Sequence, residues 1–309
     1  MVLRYVSEVL PNCKFRSMIG EPMRTGLKKS DIAPGTLVLR HAPAELAGNL
    51  IGFVHRDEDP GPQVVRVLPE VRFSIQIMLD QSYWLREAAP DADWKCLPRI
   101  ALWGPRYHWC YGFAAGRIKA FAVALTAAGL RQISQRPASQ LVDGVLDLQE
   151  VQPVLAEALE PMAHEMFEAW RTRAAIALRA FFQESDPDTL APTLDILATD
   201  ESGAVSRAAA AANLSPRQYR RVFADLYGVT PKLYQRAVRV DRAIRQLHHL
   251  PWETDPHAET PIAYADQPHG TREFRSMTGV TPSEYARAKR LGGLTLRSVP
   301  TNDVAPPLL

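Results

Sequence analysis

Hydrophobic and polar positions change their period near residue 145. From about Ile32 to Thr126 apolar residues come in short runs cut by Pro and Gly, the layout of an all-β barrel or sandwich. Candidate strands are Thr36–Arg40, Asn49–Arg56, Val64–Leu68, Phe73–Leu79, Arg99–Gly104 and Arg117–Leu125. In the fourth, Phe73, Ile75, Ile77 and Leu79 alternate with Ser74, Gln76 and Met78, as in a half-buried strand. Beyond Leu146 the spacing becomes helical. Across Pro161–Gln183 it picks out Met162, Met166, Phe167, Trp170, Ala174, Ile176, Ala177 and Phe181 as one apolar stripe. That stripe can pack on the β region or on a second copy of the chain. Residues 184–192, with Pro187 and Pro192 among acids, read as a linker.

After the linker the grammar is helix–turn–helix. Ser206 can cap a short alanine-rich helix through Ala212, Asn213 and Leu214 make a turn, and Ser215 caps the next helix with Pro216 at its first position. In that helix Tyr219, Val222, Phe223 and Leu226 form a buried stripe, leaving Arg217, Gln218, Arg220 and Arg221 facing elsewhere. Arg can donate two hydrogen bonds to guanine and Gln can pair with adenine, although a hydrated basic face reads the same way. A long helix, Lys232–His249, follows beyond Gly228 and Pro231. Leu233, Ala237, Val240, Ile244 and Leu247 lie on one side, and Arg236, Arg239, Arg242 and Arg245 on another, either toward phosphates or as hydrated surface.

The most specific signal is a duplication. Residues 219–234 (YRRVFADLYGVTPKLY) and 270–285 (GTREFRSMTGVTPSEY) align without gaps and share Arg, Phe, Gly-Val-Thr-Pro and Tyr at the same offsets, implying two homologous units. The stretch 265–285 resembles the signature of the AraC/XylS-type DNA-binding domain. That resemblance implies two helix-turn-helix units on a linker helix, placing recognition helices in successive major grooves. It assigns Arg217, Gln218, Arg220 and Arg221 in the first unit, and Gln267, His269, Thr271 and Arg272 in the second, as DNA-facing. Phe223 and Phe274 match the family's buried aromatic. The second unit departs from the pattern: three prolines, Pro251, Pro256 and Pro261, fall where a continuous helix is usual. Ala263 replaces a turn glycine, and Gly270 replaces a large apolar anchor. Residues 66–75, 103–107, 116–129 and 140–148 resemble, more faintly, an uncharacterised barrel-like domain preceding this module in some family members. Arg66, Leu68, Pro69, Gly104 and Pro105 match best, and Val71 stands where glycine is expected. This second resemblance implies a cupin-like barrel that senses a small molecule or mediates dimerisation.

The expected fold is therefore α+β multidomain. A β-barrel or cupin-like sensor or dimerisation domain occupies 1–145, amphipathic helices 146–184 and a linker 185–192. An all-α domain of two helix-turn-helix units joined by a long helix fills 193–290, followed by a flexible tail, 291–309. A length of 309 residues suits two cores. Lys+Arg against Asp+Glu is 21 to 24 over residues 1–200 and 15 to 10 over 201–309. The net charges are thus −3 and +5, and the duplicated region is the one suited to phosphate. No apolar run approaches a membrane span, and nothing marks the start for export, so the cytoplasm is expected. Cys13, Cys96 and Cys110 fit neither a disulfide framework nor a zinc site.

Other constellations are weaker. His41, His55 and His108 with Glu45 or Glu70 lack metal-ligand spacing, and no metal or cofactor is expected. Trp84, Trp103, Tyr107 and Trp109 either line an apolar ligand pocket or fill a barrel core. Phosphate loops, nucleophile elbows and HExxH segments are missing from the sequence, so an enzyme is not expected. The reading is a DNA-binding transcription regulator, activator or repressor, acting on double-stranded DNA. A homodimer, a small-molecule effector and contact with RNA polymerase belong to that picture. The alternative is a ligand-binding or protein-interaction regulator whose second unit has degenerated.

Overall fold

The computed structural model describes residues 36–59, 61–80, 82–182, 189–199, 202–248, 268–290 and 298–307, and the statements that follow concern these. Two antiparallel sheets form the N-terminal domain. The strands are β1 Thr36–His41, β2 Leu50–Glu58, β3 Gln63–Val67, β4 Phe73–Met78, β5 Tyr83–Glu87, β6 Lys95–Cys96, β7 Ile100–Trp103, β8 Cys110–Ala114, β9 Ile118–Leu125 and β10 Val145–Asp147, with β11 Ser298–Pro300 arriving from the far end of the chain. The first sheet runs β1-β2-β9-β4-β7-β10 and the second β11-β3-β8-β5-β6. Strands β5 and β8 escape a reading by alternation. Both faces of β8 are buried, so it has no polar side to reveal a period of two.

Helices α1 Ala127–Ile133, α2 Leu148–Val151, α3 Pro153–Leu159 and α4 Phe167–Phe181 follow. One face of the six-stranded sheet, with Phe53, Phe73, Ile75, Ile77, Phe121 and Val123 at 2% exposure or less, belongs to the core that α4 completes. Trp170 lies 4.8 Å from Phe121 and 6.0 Å from Phe53, ring to ring, and its indole N–H donates to the Leu159 carbonyl at 2.8 Å. His55 stacks on Phe167 in the same layer; burial pushes its pKa below the usual histidine value, against the pull of Asp57.

The apolar stripe expected on α4 is corrected by this packing. The helix begins only after Met166, and its inward positions are Phe167, Trp170, Ala174 and Leu178. Ile176 stands 68% exposed because helical spacing counted from Phe167 turns it away from the sheet, and Met162 and Met166, 61% and 59% exposed, precede the helix altogether. Three residues of the segment expected as a flexible tail form a strand. Ser298, Val299 and Pro300 pair antiparallel with Val67, Arg66 and Val65, since β3 otherwise ends the sheet with unpaired backbone groups. Val299 is 4% exposed.

The C-terminal region is helical: α5 Leu194–Ala198, α6 Ala204–Ala211, α7 Pro216–Tyr227, α8 Pro231–His248, α9 Pro268–Thr278 and α10 Pro282–Arg290. Ser206 lies inside α6 rather than capping it, the chain entering through Gly203.

Candidate nucleic-acid interface

Helix α7 is defined at both ends by its sequence. Ser215 accepts the Gln218 backbone N–H at 3.3 Å, while the Gln218 side-chain oxygen accepts the Ser215 N–H at 3.1 Å, the reciprocal cap that fixes a helix start. Asn213 makes the preceding turn at φ +55°, a left-handed conformation Asn tolerates. Gly228 ends the helix at φ +76°. Tyr219 and Phe223 are fully buried, and the Tyr219 hydroxyl sits 2.8 Å from that of Thr193. Arg217, Gln218, Arg220 and Arg221 are all exposed. Gln218 also carries the helix cap, so its amide oxygen is engaged locally.

Helix α9 repeats the design. Phe274 is fully buried, Gly279 closes the helix at φ +75°, and Tyr285 is fully buried at the start of α10. Ring pairs Phe223–Tyr234 and Phe274–Tyr285 meet edge-on at 5.4 and 6.3 Å. His269 and Arg272 are exposed and Thr271 is half-buried. Gln267 and the proline-containing stretch 251–264, with Pro261 and Ala263, lie outside the described residues.

The arginines of α8 do something the sequence did not announce. Glu273 of α9 is 5% exposed and accepts from Arg239 at 2.8 Å and Arg236 at 3.3 Å. Arg242 donates to the Ala198 carbonyl of α5, and Arg245 pairs with Asp241 at 2.6 Å. Arg236, Arg239 and Arg242, expected as hydrated or phosphate-facing surface, clamp the linker helix to both units, while Arg245 pairs within α8 itself. The partners of those three lie far away in sequence, so no local pattern marks them.

Residues 208–288 match the family described as a helix-turn-helix domain. The C-terminal region is an AraC/XylS-type helix-turn-helix domain. Structures similar to the chain include apo ToxT from Vibrio cholerae strain SCE256, at 11% identity over 80% of this chain and 99% of that one, TM-score 0.44. Another is ToxT of the same strain with an unsaturated fatty acid bound, at 9% identity over 80% and 96%, TM-score 0.44. No curated protein matches the chain.

The AraC/XylS-type domain rests on the N-terminal domain at equivalent points of its two copies. A Cβ on Gly228 would lie 2.6 Å from the Ala138 carbonyl oxygen, and one on Gly279 2.7 Å from the Trp109 indole. The Trp109 backbone N–H donates to the Met277 carbonyl at 3.0 Å. Of the four aromatics considered for a ligand pocket, Trp103 lines the cavity between the sheets. Trp84 packs instead with Val64, Tyr111 and Phe113, and Trp109 meets the second helix-turn-helix unit. Tyr107 is fully buried, and burial raises its pKa far above the usual tyrosine value, with Tyr234 of α8 adding to the shift. Burial likewise pushes the Cys110 thiol up to about 12, which suits an inert core thiol. Among the described residues no cluster of His, Cys, Asp and Glu is placed to hold a metal, and no helix is long and apolar enough to cross a membrane.

Proposed function

We propose that the protein is a transcription regulator that reads double-stranded DNA through its AraC/XylS-type domain and is modulated through its N-terminal domain. The observation that carries this is the division of α7. Tyr219, Phe223, Leu226 and Tyr227 fill its buried side, while Arg217, Arg220 and Arg221 stand in solvent, carrying donors of the kind that base edges and phosphates accept. In the second unit His269, Thr271 and Arg272 take the corresponding role. Phe274 and Tyr285 give that unit a packed centre like the first, which supports two working units over a degenerate second one. Homodimerisation across the α3–α4 surface, where Val154 and Ile176 are exposed, and contact with RNA polymerase complete the reading.

The test is fluorescence anisotropy on genomic fragments selected by the protein, across a salt series. Arg217→Ala and Arg221→Ala should each weaken specific binding by about 1–3 kcal/mol if they contact bases. Affinity for selected and scrambled DNA that is equal in the parent protein, and unmoved by either substitution, would overturn the reading.

A further inference from the structure

We propose that the cavity between the two sheets binds a small monoanion with a compact apolar body, its oxygen accepting the Arg106 Nε–H, and that occupancy is felt at the second helix-turn-helix unit. The link to DNA rests on the regulator reading above; the binding itself does not. Space exists because β9 turns Ala120, Ala122 and Ala124 into the cavity and Phe121 and Val123 toward the helices. Leu37, Leu39 and Val54 extend the apolar wall. The volume is about 190 Å³, slightly more than a cavity of about 150 Å³ that holds benzene. It fits one ring or a short chain rather than a long acyl chain.

Charge in the walls selects the head group. Three arginines and two glutamates line the cavity. Arg56 pairs with Glu58 at 2.5 Å and Arg72 with Glu70 at 2.8 Å. Arg106, 4% exposed, donates Nη2 to the Asp143 carbonyl at 2.7 Å and reaches only to 3.5 Å from the half-exposed Glu87 carboxylate. Its Nε–H is buried with no partner, and an unsatisfied buried donor on a cation calls for an acceptor.

Two routes lead from this point to the DNA-binding domain. Asp143 accepts the backbone N–H groups of Tyr107 and His108 at 2.7 and 3.1 Å, fixing the loop that carries Trp109 against Gly279. Ser298 lines the cavity from β11, the strand that follows α10. That strand is further held by Arg66 pairing with Asp303 and by the Trp94 indole N–H donating to the Ala305 carbonyl at 3.2 Å.

The experiment titrates the full chain with benzoate, hexanoate and palmitate, and with benzamide and hexanamide. Melting temperature, DNA affinity and amide hydrogen exchange are read together. Benzoate or hexanoate should raise the melting temperature saturably, its amide binding at least about tenfold more weakly. Ala122→Phe fills the cavity while sparing Arg106 and should abolish the shift; Arg106→Lys, which keeps the charge and loses the Nε–H, should weaken binding about tenfold. Exchange should change at 277–280 and 298–301 and stay constant at 168–178. An amide binding as well as its acid, palmitate binding alone, no shift with any acid, an unaltered response in Ala122→Phe, or unchanged exchange at both segments overturns the proposal. Protein that binds DNA but ignores every acid leaves the regulator reading intact, whereas protein that binds an acid but no DNA defeats only that reading.

Discussion

In the first helix-turn-helix unit Tyr219 is buried and its hydroxyl meets Thr193 beneath α5, whereas the aligned residue of the second unit is Gly270, which brings no side chain to the same place. Helix α7 also starts on its own reciprocal cap between Ser215 and Gln218. Helix α9 is fastened from outside, by Glu273 in the grip of Arg236 and Arg239 and by the Trp109 backbone. Near-identical turns therefore sit in unlike surroundings. A unit that supplies its own anchor can hold a fixed reading head, while one secured by neighbours responds when those neighbours shift.

The largest effects should come from the two turn glycines, and they should be unequal. Gly228→Ala forces a side chain into a left-handed conformation and against a main-chain carbonyl, which cannot rotate away. A loss of about 2–4 kcal/mol is expected in chemical denaturation. Gly279→Ala meets the Trp109 ring, which has more freedom to move, and should cost less; equal losses would mean the two contacts are equally rigid. Glu273→Gln comes next, with about 1–3 kcal/mol, because it withdraws the charge that matches two arginines in a mostly buried site, although their partial exposure softens the effect. Denaturation followed through a label on α9 should register it more strongly than one on α7. Ser215→Ala should cost about 1 kcal/mol through loss of the cap and should loosen amide exchange at the start of α7 alone.

Sequence made the duplicated turn legible because both copies carry the residues that the backbone demands: glycine at positive φ, then Thr and Pro to start the next helix. It made the helix-facing side of β4 legible for a similar reason, Phe73, Ile75 and Ile77 being apolar at every second place. The other side of β4 was harder to place. Ser74 and Gln76 look like the wet face of a half-buried strand, yet they line the cavity, because a second sheet covers them and its strands carry no mark of their partner. The arginine row of α8 failed for the same reason in reverse: a charged stripe reads as solvated until the buried Glu273, 34 residues beyond Arg239, folds back onto it. Trp84, Trp103, Tyr107 and Trp109 stand out in the sequence as a group but not as separate jobs. Only the three-dimensional arrangement divides them between cavity wall, sheet packing and the seat of the second unit.

The pairing of Val299 with Arg66 joins residues 233 positions apart. During synthesis the edge of β3 leaves the ribosome well before its partner strand. The second sheet must therefore wait with an open border while the intervening polypeptide is made, a stage at which chaperone protection would matter most. A product truncated ahead of β11 would keep that border exposed and aggregation-prone.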